Sequence, residues 1–332
     1  MAFIQPSLSL QTAICAGLES EQGVPVHPTL VADTINLHTE ENPVQLDARR
    51  ITVQNITGSF TKSKDVIGRK LNPISFQHYL SSLADGSGAE PRWIRLMRAC
   101  GHSCSSGGSA GSSSWVLDPI SANIPSLTFL EYTAKTRKRV VGTIGSTVHD
   151  FPAGDPPNMT YSFLGEFQTP VSEANFPTTI TRQTHACKLV ENLNLVLGTY
   201  TPIAPNIRVD FARSTNERPD VNSPEGIYGL YIGDANPIVT IMLEAPEDEP
   251  AMNVEGSSSL YEMLEDGVTT DISWTHGSVA ESFTTNYAFA DMQLVNFQYR
   301  SENKRRMLET TWKAQNDTAN AEYRIIHKEK KT

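Results

Sequence analysis

The chain has 332 residues, 19% of them charged, and a formal net charge of −10, which is length enough for two ordinary domains. It has no apolar run long enough to cross a bilayer, and residues 1–23 lack the basic start and apolar core of a secretory leader. Four cysteines are too few for a disulfide scaffold of this size. A helical membrane protein and a disulfide-stapled secreted fold are thereby excluded, and the abundance of Thr, Ser, Asn, Gly and Pro predicts a soluble, cytoplasmically made, β-rich protein with reduced thiols.

In chain order, residues 1–30 read as an N-terminal arm. Residues 31–170 read as a first domain, 171–186 as a linker broken by Pro177, and 187–332 as a second domain. Two-residue alternation marks "RITVQNITGSF" and "PISFQHYLSSL" as strands, with the polar, basic stretch 61–72 between them as a projecting connection. In "PRWIRLMRACG", Trp93, Leu96, Met97 and Cys100 recur at i, i+3, i+4, i+7, which predicts a short helix. Pro91 suits its first turn, Gly101 suits its end, and Cys100 becomes a small core residue.

Beyond it, "CGHSC" followed by a Ser/Gly run admits sharper readings. Cys100, His102 and Cys104 have metal-knuckle spacing, but His185 and Cys187 in "HAC" are too close together for the usual second knuckle. Ser109 sits in a Gly-x-Ser-x-Gly match, yet a nucleophile elbow needs a strand before it and a helix after it. A flexible Ser/Gly loop over 105–114 is the simpler expectation.

Strands follow at "SWVLDP", "SLTFLEYTA", "RVVGTIGSTVHDF" and "MTYSFLGEF". The second half repeats the order with "KLVENLNLVLG" and "NIRVDFA" as strands, a polar connection over 212–226, "GIYGLYIGD" and "PIVTIMLEA". A helix at "SSSLYEMLEDG" comes next, capped by Ser258 or Ser259 and stopped by Gly267, then "TDISWTHG" and the long hairpin "YAFADMQLVNFQY" to "RMLETTWKAQ". One helix in the same slot of each half points to a structural duplication.

Charge is segregated. No Lys or Arg occurs between Arg218 and Arg300, a stretch holding fourteen acidic residues, whereas basic residues cluster elsewhere. The basic clusters are not interleaved with aromatics, so a nucleic-acid-gripping groove is not expected. "GTIGST" lacks the lysine of a phosphate loop, and no His-Glu-x-x-His occurs. Nothing here argues for an enzyme or a cofactor.

The run "EPRWIRLMRACGH", then "WVLDPIS", "PSLTFLEYTAKTRKRVVGTIGSTVHDF" and "PPNMTYSFLGEFQTPVSEANFP", resembles the major tail tube proteins of long-tailed bacteriophages. So does "VTTDISWTHGS" with "FADMQLVNFQYRSENKRRMLETTWKAQNDTANAEYRI". The resemblance implies two tandem tail-tube-type β-sandwich/barrel domains, each with one short helix. Their inner strands would form a closed barrel across subunits in stacked, pseudo-six-fold rings. The partners implied are the chain itself, as homotrimer or homohexamer rings, a tape-measure protein and tail-end proteins. Double-stranded DNA would pass transiently, in a virion tail, with no membrane. Roughly 24 strands at about 4.8 Å spacing and about 40° tilt leave a bore near 40 Å, wide enough for duplex DNA.

On that resemblance Lys62, Lys64, Asp65, Arg69, Lys70, Arg213, Glu217, Arg218 and Asp220 are candidates for inter-ring loops. Glu40, Glu41, Asp47, Asp210, Glu225, Asp234 and Glu244 are candidates for an acidic channel wall, because lysines there would hold DNA by counterion release. Arg137, Lys138, Arg139, Lys304, Arg305 and Arg306 are candidates for subunit contacts. The rival readings are a distal-tail, baseplate or secretion-type tube protein of the same fold, a carbohydrate-binding β-sandwich, and a hydrolase using Ser109.

Overall fold

The computed structural model describes residues 12–30, 33–35, 43–51, 65–83, 89–109, 112–173, 177, 179–180, 185–223, 226–245, 253–255, 258–278, 283–302, 304–315 and 322–330. The first half runs β1 (Thr12–Leu18), β2 (Thr34–Ile35), β3 (Asp47–Ile51), β4 (Val66–Tyr79), β5 (Ser81–Leu83) and α1 (Arg92–Ala99). It continues with β6 (His102–Ser109), β7 (Ser112–Pro119), β8 (Leu127–Thr133), β9 (Thr136–Pro152), β10 (Asn158–Phe167), β11 (Val171–Ser172) and β12 (His185–Cys187). The second half runs β13 (Val196–Leu197), β14 (Asn206–Asp210), β15 (Arg213–Pro219), β16 (Ile227–Ala235), β17 (Ile238–Glu244), β18 (Asn253–Glu255) and β19 (Ser258–Ser259). It ends with α2 (Leu260–Asp266), β20 (Thr269–Ser278), β21 (Phe283–Glu302), β22 (Arg305–Ala314) and β23 (Tyr323–Lys330). The fold is mainly β and antiparallel, as composition and alternation predict.

Both helices form where their apolar spacing and caps place them. In α1, Trp93, Leu96 and Met97 are fully buried; Pro91 is the residue before the first turn, and Gly101 follows the end at φ 81°. In α2, Ser259 and Glu262 form a reciprocal capping box and Gly267 closes the helix in the left-handed conformation. The Ser/Gly run differs from expectation. It is the β6–β7 hairpin, with Cys104 opposite Leu117 and Ser109 opposite Ser112. Alternate residues Ser113, Trp115 and Leu117 are buried, and β7 is paired on its other side by β23, so the ladder supplies what small side chains do not.

The two projecting connections are also more ordered than their composition suggests. Residues 66–72 are the first half of β4, which runs through Pro73, and residues 213–235 fold back as the two-stranded ribbon β15–β16. The expected linker contains β11 and leads into β12, which pairs with β5 of the first half.

Seventeen strands join through ladders into one network. Its spine is the order β3–β4–β10–β9–β14–β17–β22–β21, every neighbour antiparallel. The first four strands and the last four have the same internal order, a hairpin pair flanked by a strand from the N-terminal side of the helix, β4 or β17, and then by a further strand, β3 or β14. The halves meet edge to edge where Val148–Pro152 of β9 pairs with β14.

Because β9 and β21 are 17 and 20 residues long, their N-terminal halves also serve a second layer: β8–β1–β2 on β9, and β20–β13 with β23–β7–β6 on β21. One hydrophobic core spans both halves. Phe151, Trp274 and Tyr287 pack ring against ring across it, and His149 and His102 of the first half bond to the hydroxyls of Tyr287 and Tyr323 of the second, each at 2.8 Å. No ladder path returns on itself, so the described strands of one chain form no closed barrel.

Candidate assembly surface

Along the spine every second residue points away from the core. Ile207 and Val209, Val239 and Ile241, and Phe151, Tyr161 and Phe163 point inward and are buried. The ladder registers then place Asp47, Leu71, Ser75, Gln77, Ser146, Val148, Thr160, Ser162, Asn206, Thr240, Thr311, Asn296 and Gln298 together on the other face. That face is mostly polar across eight strands, but Leu71, Ile144, Val148, Leu164, Met242 and Met307 interrupt it, and Leu71, Ile144 and Met307 are buried.

Three of the acidic candidates, Asp47, Asp210 and Glu244, lie on this face. Asp234 does not; it is exposed on the β15–β16 ribbon, and Glu40, Glu41 and Glu225 lie outside the described residues. Asp150, Glu166, Glu302 and Glu309 were missed, because only the ladder register shows that they share the face. Against these seven acids stand Arg49, Arg208, Arg300, Arg305 and Lys313. Two are neutralised locally, Arg208 by Asp150 at 3.3 Å and Arg300 by Glu309 at 2.5 Å. The surface is thus small, polar and slightly acidic rather than acid-dominated. Of the fourteen acids in the cation-free stretch, Glu244 is the one that the described residues place here; the others they place lie on the ribbon, β18, α2, β20 and the β21 bulge.

The loop candidates separate into surface and buried groups. Lys62 and Lys64 lie outside the described residues, and Asp65 is exposed just before β4. Arg69 and Lys70 are strand residues: Arg69 pairs with Glu217 of the ribbon, and Lys70 stands 5.6 Å over the Phe167 ring. Arg218 covers Tyr228 at 4.7 Å, and Asp220 accepts the Asn222 amide at 2.9 Å in the turn of the ribbon. Arg213 is a correction. It is buried, with its guanidinium on the Ile120 carbonyl at 3.1 Å and the Tyr323 hydroxyl at 3.4 Å, where it ties the ribbon's base to the core rather than projecting from a loop.

Among the contact candidates, Lys138 is likewise held inside its own chain, by the fully buried Glu131 at 3.4 Å and the Val44 carbonyl at 3.1 Å. Arg137 pairs with Glu173 and Arg139 with Gln168. Lys304 sits in the turn at φ 65°, Arg305 is exposed, and Arg306 covers the Tyr299 ring at 4.2 Å.

The sharper readings of "CGHSC" find little support. Both ring nitrogens of His102 are taken, Nδ1 by the Met97 carbonyl and Nε2 by the Tyr323 hydroxyl, each at 2.8 Å. Burial, reinforced by the Arg213 charge, pulls its pKa down to about 3, so the ring stays neutral. Burial raises the Cys100 thiol strongly and the Cys104 thiol to about 11. His185 and Cys187 pair in β12 with β5, and the described residues contain no group of three or more potential metal ligands. Ser109 ends a strand that turns into another strand, without the helix a nucleophile elbow uses.

Ribbon, polar face and open edges are therefore the features that remain. No protein-family model and no curated protein matches the chain.

Proposed function

We propose that this chain is a structural virion protein that polymerises as stacked, pseudo-hexameric rings into the tail tube through which viral DNA reaches the host. The observation that carries the reading is the spine. A four-stranded arrangement occurs twice, the two already joined side by side, with one face packed on a core and the other mostly polar. A sheet built this way serves a continuous wall better than an isolated domain, which would leave long edges exposed.

The face suits passage of a polyanion. A carboxylate about 10 Å from a phosphate costs only ~0.4 kcal/mol in water, and salt lowers that further. Local pairing of Arg208 and Arg300 removes cations that would hold phosphates. We assign the ribbon β15–β16, with Val221 and Tyr228 exposed near its turn, to the contact with the next ring. Tape-measure and tail-end proteins would be the other contacts, inside a virion tail. Negative-stain micrographs of the purified protein at high concentration test this directly. Rings or tubes with a bore near 40 Å are expected; particles that stay globular monomers would refute it.

A further inference from the structure

We propose that a second copy of this chain continues the sheet by laying its β3 antiparallel on Leu294–Glu302 of β21, in the register that sets Asp47 opposite Arg300. This rests on the tube reading above and specifies its joint.

Among the described residues, both strands have a ladder on one side only: β3 pairs with β4, and beyond Gln293, where β20 ends, the strand ladder of β21 is the one to β22. The Gln45 amide donates to the Pro73 carbonyl and the Ser75 amide to the Pro43 carbonyl. Residues 43, 45 and 47 therefore face β4, and Leu46 and Ala48 turn their backbone groups to the open side. The free stretch has a defined start: the Glu131 carboxylate accepts the Val44 amide and Lys138 donates to its carbonyl, both at 3.1 Å.

The chain carries its own template for closing such an edge. Matching Met159–Phe167 of β10 to Arg306–Ala314 of β22 and following the ladders carries Leu71 onto Ile238, Asp47 onto Asp210 and Val148 onto Arg300. The match brings Val44, Leu46, Ile74 and the Phe76 ring onto Ile207, Val209, Ile241 and Leu243, apolar on apolar, although none of these was used to set it. Inside the chain Asp210 lies opposite Val148, and Val209 opposite His149. Transferred to the open edges, these pairs become Asp47 with Arg300 and Leu46 with Ser301.

Exposure agrees. Val209, inside the existing joint, is 0% exposed, whereas its counterpart Leu46 is 57% exposed. Exposed apolar residues gather on the same two margins: Ile51, Val66 and Ile67 beside β3, and Val295 and Tyr299 on β21. Charge agrees as well: Asp47 would join the existing Arg300–Glu309 pair, an opposite-charge contact across the joint as Arg208–Asp150 is across the internal one. Eight antiparallel strands per copy bring β3 and β21 together in the antiparallel sense, and three copies would close a ring of about 24 strands.

The test uses cysteine pairs in full-length protein whose exposed Cys187 is replaced by serine. Asp47 and Arg300 would form a non-hydrogen-bonded pair with Cα atoms about 4.5 Å apart, within disulfide reach. Oxidised assemblies of the Asp47→Cys/Arg300→Cys variant should give covalent dimers and trimers, reversed by reductant, and nothing larger. Asp47→Cys/Asn296→Cys, four residues out of register, should give roughly tenfold less. Tubes without either cross-link overturn the joint but leave the tube reading standing. Preferential linking through position 296 overturns the register, and a ladder beyond trimer overturns three-copy closure. Wild-type protein that never assembles overturns the tube reading itself. If the cysteine variants fail to assemble, charge exchange decides. Asp47→Arg should raise the critical concentration about tenfold, and Asp47→Arg/Arg300→Asp should restore it; absence of rescue overturns the joint.

Discussion

Leu46 and Val209 form a matched experiment, because equivalent positions sit in an open edge and in a closed joint of the same chain. Full burial of a leucine side chain is worth about 1.5–3 kcal/mol, so covering the exposed part of Leu46, 57% of the residue, contributes about 1 kcal/mol per subunit joint. Leu46→Ala should therefore raise the critical concentration for polymerisation roughly fivefold and leave the unfolding free energy of the unassembled chain nearly unchanged. Val209→Ala, at a position with no exposed surface, should instead cost about 2 kcal/mol of fold stability. Sedimentation at graded concentrations measures the first quantity, and urea melts of dilute protein the second. Equal loss of fold stability in both variants, or an unchanged critical concentration for Leu46→Ala, would refute the equivalence of the two edges.

Other outcomes follow from the core. The buried Glu19 carboxylate accepts from the amides of Gly23 and Gly142, each at 2.9 Å, and from the hydroxyls of Ser126 and Thr128 at 2.6 Å. Glu19→Ala strands those donors and should lower stability by about 2–4 kcal/mol in a denaturant melt; a loss under 1 kcal/mol would contradict this account. Burial holds His102 and His149 near pKa 3, against an ordinary 6.5, so the fold favours their neutral forms. Their contribution is complete above about pH 6.5 and is lost as pH falls toward 3; between pH 7 and 5 the pair should cost about 3–4 kcal/mol of stability, and a flat profile over that range would count against it. In native protein a maleimide should label Cys187 well before Cys15 and Cys100, which react only after unfolding; fast labelling of Cys100 would show that α1 is not packed as described.

What the sequence by itself determined is local. Apolar spacing and caps are short-range properties, so α1 and α2, with its cap at Ser258 or Ser259, could be read directly, as could the hairpins β9–β10 and β21–β22. What only the tertiary structure decided depends on partners far away in sequence. The Ser/Gly run is a strand because β7 is held between it and β23, and residues 66–72 are strand because β3 and β10 flank them. Arg213 looked like a surface cation until Ile120 and Tyr323 enclosed it. The composition of the polar face was equally hidden, because one residue of register shift moves a side chain to the other side of a sheet. Register is fixed by neighbouring strands, which is why Asp150 and Glu309 belong to that face while most of the acid-rich stretch does not.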